Sequence, residues 1–266
     1  MIFYFTGTGN CLHVARELDA DARSVPQEMA RVGALSYAAD AIGIVFPLYG
    51  HQMPAMVRDF IMRATFDAPY IYAVATYGRR HANGVELTQD VFRQANVRLD
   101  YMATLLMVDN WLPGFDMDAE RALIPQKRTD ENLARIKGDV ASRRRWIEPV
   151  TDEDRAAHQE FLSYGVRFKP DALESFLVFD SEKCNGCGTC ARVCPGGCIS
   201  IVDGHAVRDA VAGLGCNACL ACVHACPRGA ISIPMGDVNP HARYRNDQVS
   251  LRQIMAANDW RASASR

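Results

Sequence analysis

Ten cysteines stand in this sequence, and all but Cys11 fall between Cys184 and Cys226. The block reads Cys184-Asn-Gly-Cys187-Gly-Thr-Cys190-Ala-Arg-Val-Cys194-Pro195, then Cys216-Asn-Ala-Cys219-Leu-Ala-Cys222-Val-His-Ala-Cys226-Pro227. Both runs are C-x2-C-x2-C-x3-C-P, and each leads into an Ile/Ser strand (Ile199-Ser200-Ile201; Ile231-Ser232-Ile233), an internal repeat of about 32 residues. Thiolates are soft ligands that suit iron–sulfur clusters or zinc. Zinc sites use two pairs of ligands, whereas three cysteines at two-residue gaps followed by Cys-Pro favour a cluster. Cys198 belongs to neither run and reads either as a small buried residue or as an alternate ligand. Met1–Phe5 is too short for a secretory apolar region, so the tight cysteine block points to metal binding in a reducing, cytoplasmic compartment and not to a disulfide framework.

The doubled run resembles the bacterial two-cluster ferredoxins. There, three thiolates of one run wrap one cluster and the fourth, before proline, reaches the other. The resemblance implies two [4Fe–4S] clusters, one on Cys184, Cys187, Cys190 and Cys226, the other on Cys216, Cys219, Cys222 and Cys194.

A second group of residues lies at the start of the chain. Thr6-Gly7-Thr8-Gly9-Asn10-Cys11 separates an apolar run, Ile2–Phe5, from a helical segment, Cys11–Leu18. It lacks the third glycine of a dinucleotide loop and the Gly-Lys-Ser/Thr of a P-loop. It resembles the phosphate loop of flavodoxins, where hydroxyls and backbone N–H groups at a helix N-terminus hold the FMN phosphate; Cys11 replaces the family's final Thr or Ser. Pro47-Leu48-Tyr49-Gly50-His51 and Thr76-Tyr77-Gly78-Arg79 resemble the loops that flavodoxins place around the flavin ring, and Trp111 is another aromatic candidate. The implied FMN contacts are Thr6, Gly7, Thr8, Gly9, Asn10, Cys11, Pro47, Leu48, Tyr49, Gly50, Thr76, Tyr77, Gly78 and Trp111. His51 and His81 read as exposed loop histidines, or else as proton donors near a flavin.

These residues need a scaffold. Apolar runs at Ile2–Phe5, Ala41–Phe46, Tyr70–Ala75 and Met102–Val108, with a weak one near Arg23–Val25, alternate with helical segments at Cys11–Leu18, Ala55–Met62 and Val85–Val97. Uniformly apolar strands between helices predict a parallel sheet covered on both faces. Asp130–Trp146 reads as one helix striped by Leu133, Ile136, Val140 and Trp146, with Arg143–Arg145 as its solvated end and Pro149 as its stop. Short strands follow at Leu177–Phe179, Cys198–Val202 and Ile231–Ile233, then a helix near Val249–Ala256 and a disordered end, Arg261–Arg266.

The resemblances together describe a flavodoxin–ferredoxin fusion of anaerobic microbes. They imply an α/β flavodoxin-like doubly wound parallel sheet, order 2-1-3-4-5, plus a small α+β two-cluster ferredoxin domain. The expected division is 1–147 for the flavodoxin-like FMN domain, 148–176 for a linker, 177–236 for the ferredoxin domain and 237–266 for a tail. The implied function is electron transfer through two [4Fe–4S] clusters and FMN to a redox partner protein, with an FMN-dependent reductase of a small-molecule acceptor and an iron–sulfur redox sensor as alternatives. Over 266 residues, 29 basic and 31 acidic side chains give a net charge of -2, which argues against nucleic-acid or membrane-surface binding. No apolar run approaches the ~18 residues of a membrane span.

Overall fold

A computed structural model gives the fold and describes residues 1–164, 176–209 and 214–260. The disordered end read at Arg261–Arg266 and residues 165–175 of the expected linker lie outside the described residues. The first half folds as β1 (Ile2–Tyr4), α1 (Asn10–Leu18), β2 (Arg23–Ser24), α2 (Val25–Met29), β3 (Ser36–Ala38), β4 (Ile42–Pro47), α3 (Ala55–Arg63), β5 (Thr65–Asp67), β6 (Ile71–Tyr77), α4 (Gly84–Gln94) and β7 (Tyr101–Leu106). Then come α5 (Met117–Ala122), α6 (Ile124–Lys127), α7 (Thr129–Ala141), β8 (Trp146–Ile147) and α8 (Asp152–Ser163).

The main sheet runs β2-β1-β4-β6-β7-β8, and every neighbouring pair is parallel. Its first five strands stand in the expected order 2-1-3-4-5; β3 and β5 pair only with each other. Strands β4, β6 and β7 are buried on both faces over most of their length, which is why their sequences are continuous apolar runs and do not alternate. Helix α1 turns Cys11, Leu12, Val14 and Ala15 inward against this sheet. Phe3 meets Phe60 of α3 and Tyr37 at ring separations of 4.9 and 4.5 Å. Removing such a buried ring costs about 3–5 kcal/mol.

The helix expected over Asp130–Trp146 is shorter. Helix α7 stops at Ala141, Arg143 turns to φ 52, and Trp146 enters the sheet as β8, opposite Tyr101. Val140 to Trp146 is a step of six, off the three- and four-residue spacing of a helix face. The arginines are not merely a solvated end: Arg144 reaches Asp139 at 3.1 Å and Arg145 reaches Asp100 at 3.4 Å. The segment after Pro149 is helical: Thr151 and Asp154 cap α8 reciprocally.

The second half contains β9 (Val178–Phe179), α9 (Thr189–Val193), β10 (Ile199–Val202), β11 (His205–Arg208), α10 (Ala221–Ala225), β12 (Ile231–Ser232) and α11 (Leu251–Asn258). Strand β12 pairs antiparallel with β9, and β10 with β11. Strand β11 is absent from the sequence reading, although Asp203-Gly204 signalled it. Both residues have positive φ (49 and 78), the requirement of a tight hairpin turn.

The halves share a core. The hydrophobic cluster built on β1, β4 and β6 also includes Val193, Cys219 and Ala221 of the cysteine block and Val249, Ile254 and Ala257 beyond it. Helix α11 packs between α9 and α2. Among the described residues, no helix is long and apolar enough to cross a membrane.

Candidate functional site

The cysteines line two cavities. Cys184, Cys187, Cys190 and Cys226 line one, walled by Ile201, Ala206 and Ile231. Cys194, Cys216, Cys219 and Cys222 line the other, together with Phe176, Leu177 and Cys198. Each set combines three cysteines of one run with the Cys-Pro cysteine of the other. Among the described residues, no three His, Cys, Asp or Glu side chains converge to hold a single metal ion; the thiols ring a volume instead.

Backbone N–H groups point at the sulfurs. Ala206 N donates to Cys184 Sγ (3.3 Å), Cys198 N to Cys194 Sγ (3.3 Å) and Ala230 N to Cys226 Sγ (3.2 Å). Such donors stabilise thiolate charge and raise the potential of a bound cluster. The Thr189 side chain holds the Cys187 thiol below its ordinary pKa, and burial pushes Cys190 up to about 11. The Cys198 side chain lowers Cys194 to about 7 and Cys216 to about 6. Four soft donors per cavity, with N–H groups behind them, fit an iron–sulfur cluster. The first set reaches the surface: Cys187 is exposed and Cys184 and Cys226 half-buried, whereas Cys194, Cys219 and Cys222 are buried.

The second set adjoins the loop after β1. A Cβ on Gly7 would lie 2.8 Å from the Cys219 carbonyl oxygen and 3.3 Å from the Tyr49 hydroxyl. Only glycine allows the cysteine turn to approach so closely. Gly9, at φ 104, faces the side chains of Asn246 and Val249 at 3.1 and 3.2 Å from its Cβ position. The loop's own polar groups are engaged. Thr6 Oγ1 accepts from Gly9 N (3.1 Å), Thr8 Oγ1 accepts from Asn110 Nδ2 (3.0 Å), and Asn10 Oδ1 accepts from Tyr244 OH (2.7 Å) and Asn246 Nδ2 (3.1 Å). Asn258 Nδ2 donates to both Thr6 O (3.2 Å) and Val193 O (2.8 Å), tying the loop to α9.

The residues assigned to the flavin ring are drawn into the same packing. Burial pushes the Tyr49 phenol well above its ordinary pKa, with Cys219, Cys11 and Asp109 adding to it. Cys11 Sγ lies 3.1 Å from Thr76 Oγ1, and burial raises this thiol to about 12. Pro47 ends β4, Leu48 packs against Gly84, and Gly78 is pressed against Asp109. Tyr77 meets His81 edge-on, and Trp111 stacks on Phe176 at 6.3 Å. A buried pair, Lys127 and Glu120 at 3.0 Å, fixes two of these loops: Lys127 Nζ donates to Gly78 O, and Glu120 accepts from Asp109 N.

The loop has the residue types a flavin phosphate takes. As folded, Cys219, Tyr49, Asn246 and Val249 pack against its glycines, and Thr6 and Thr8 are buried, so the loop is closed over. His51 corrects another expectation: it is buried, at 7 % exposure, with Nδ1 3.2 Å from His158 Nδ1. Tyr49 and Gln52 exchange backbone hydrogen bonds around Gly50-His51, forcing His51 to φ 70 and turning it inward under α8. Burial lowers its pKa to about 4, so it is neutral near pH 7.

Several contacts between the halves carry no sequence signal. Asn217 Oδ1 accepts from Met56 N (3.0 Å) at the start of α3. His224 bonds to Asn110 O through Nε2 (2.9 Å) while Nδ1 accepts from Tyr244 N (3.1 Å), which sets its tautomer. These polar residues are unremarkable in the chain and meet partners far away in sequence.

Residues 174–231 match the family described as the 4Fe-4S dicluster domain. No curated protein matches the chain. Among solved structures, one from Bacteroides uniformis described as a candidate flavoprotein is 18% identical over 41% of this chain and 90% of its own, at TM-score 0.33. Rubredoxin:oxygen oxidoreductase from Desulfovibrio gigas is 10% identical over 51% of this chain and 36% of its own, at TM-score 0.30. Trp repressor binding protein from Bacillus subtilis is 12% identical over 51% of this chain and 99% of its own, at TM-score 0.31. These likenesses are low, and the fold assignment rests on the strand order. The chain joins a flavodoxin-like parallel sheet to a 4Fe–4S dicluster segment, the make-up of a flavodoxin–ferredoxin fusion.

Proposed function

We propose that this protein carries electrons between a low-potential donor and a partner protein through two [4Fe–4S] clusters. One would be held by Cys184, Cys187, Cys190 and Cys226, the other by Cys194, Cys216, Cys219 and Cys222. The observation that carries this is the pair of four-thiol cavities, one reaching the surface and one set against the flavodoxin-like sheet. A bound cluster supplies one-electron transfer. The chain supplies thiolates, N–H donors to sulfur and apolar walls that exclude water.

The exposed set is where a partner reaches the protein. Val202 and Val207, which the register puts on one face of the β10–β11 hairpin, are 50% and 36% exposed, apolar side chains of the kind small transient interfaces use. The aromatics Tyr49, Tyr77 and Trp111, which the sequence placed near a flavin, are half-buried against other parts of the chain. A flavin reductase needs an open ring face and a proton donor beside it; His51, one candidate donor, is buried against His158. The flavodoxin-like architecture keeps flavin as a ligand class, and FMN on Thr6–Cys11 belongs to an opened form. No transfer step is assigned to it.

The test is to reduce anaerobically purified protein and mix it with one-electron carrier proteins and with quinones and nitroaromatics. Fast transfer to a protein carrier is expected. Saturable, selective turnover of one small molecule would replace this proposal with the reductase.

A further inference from the structure

The two cavities differ by one thiol. Each Cys-Pro cysteine is followed four residues later by a residue whose N–H donates to its sulfur: Cys198 to Cys194 at 3.3 Å, and Ala230 to Cys226 at 3.2 Å. The backbone serves the same purpose at both places, and alanine suffices at one. At the other, a thiol lines the cavity with Cys194, Cys216, Cys219 and Cys222. Cys198 is 4% exposed, its N–H donates to Cys194 Sγ, and it shares the cavity lining with Cys194 and Cys216. It therefore stands beside two ligand positions and belongs to neither run.

We propose that Cys198 is a reserve ligand of the second cluster, placed to take the iron that Cys194 holds. This rests on the thiol sets proposed above. In the exchange the Fe–Sγ bond to Cys194 breaks and one to Cys198 forms. The Cys198 S–H proton passes to the departing Cys194 thiolate, its neighbour in the same cavity. No electron is gained or lost, and no co-reactant is needed. The first cavity has no such reserve, because Ala230 occupies the matching place.

The repeat supplies its own control. Cys194→Ala and Cys226→Ala are purified anaerobically, and iron, sulfide and the electron paramagnetic resonance of oxidised protein are measured. Cys194→Ala is expected to keep about eight irons in two four-iron clusters. Cys226→Ala is expected to fall to about seven, with the signal of a three-iron cluster. The double variant Cys194→Ala/Cys198→Ala should show the same loss. A three-iron signal in Cys194→Ala equal to that of Cys226→Ala overturns the reserve role. Should Cys194→Ala not fold, ferricyanide oxidation of Cys198→Ala decides. Faster conversion of its second cluster to the three-iron form than in wild type supports the role, and equal rates overturn it. Wild-type protein without iron would remove the underlying thiol sets themselves, a failure distinct from that of Cys194→Ala alone.

Discussion

The two cysteine runs share spacing and backbone path but not surroundings. In the first, Gly186 and Gly188 take the left-handed conformations of the turn; in the second, the equivalent places are Ala218 and Leu220, at φ 52 and 56. The first run faces solvent through Cys187; Gly186 lies against the Gly204 backbone, which leaves no room for a Cβ, and Gly188 has room around it. The second lies under the sheet ends, and Leu220 is buried at 3% exposure in the cluster with Val223 and Tyr244. Side chains at strained positions persist there because burial offsets about 1–2 kcal/mol per left-handed residue. One motif thus stands in two settings: one set of thiols that reaches the surface, and an inner set packed against the flavodoxin-like half.

The largest consequence concerns ligand crossing. Cys226→Ala should damage the cluster of Cys184, Cys187 and Cys190, although Cys226 stands in the other run. Paramagnetic resonance of reduced single-cysteine variants separates the two clusters, and loss confined to the Cys216–Cys222 cluster would break the crossing. In wild type, a hydrophilic chelator plus oxidant should strip the exposed cluster first. Equal loss of both would erase the contrast in accessibility.

The inner face should be held by polar anchors of graded strength. Lys127→Ala leaves Glu120 charged and buried, and should destabilise the fold by about 3–5 kcal/mol in denaturant titration. Asn258→Ala removes two hydrogen bonds joining the Thr6 loop to α9 and should cost about 1–3 kcal/mol. FMN titrated into cluster-loaded wild type should bind weakly; Tyr49→Ala, which clears one of the groups over Gly7, should tighten binding by about tenfold, or ~1.4 kcal/mol. Tight stoichiometric binding by wild type would show that the loop accepts the phosphate without opening. The smallest effect is in the turn itself: Ala218→Gly should change stability by less than ~1 kcal/mol, since relief of a left-handed alanine is set against loss of its buried methyl group.

These contrasts were unevenly legible from sequence. The thiol sets follow from a repeat that constrains a few residues at short range, and the strand order follows from apolar runs that only a two-faced parallel sheet buries. The cover over the Thr6–Cys11 loop was not legible, because it joins Gly7 to Cys219 and Thr8 to Asn246, pairs some two hundred residues apart whose types carry no pattern. His51 read as a loop histidine because nothing near it in sequence announces His158. Trp146 was misplaced because an apolar residue near a helix end was counted in its stripe, when its spacing and its pairing with Tyr101, rings tilted at 5.9 Å, belong to a strand.

The central claim is that both thiol sets hold four-iron clusters and that electrons pass through them. Iron and acid-labile sulfide per chain, measured on anaerobically purified protein together with paramagnetic resonance after stepwise reduction, test it most directly. The account predicts about eight of each and two interacting one-electron centres. Four irons with one centre, or zinc in a colourless protein, would contradict it.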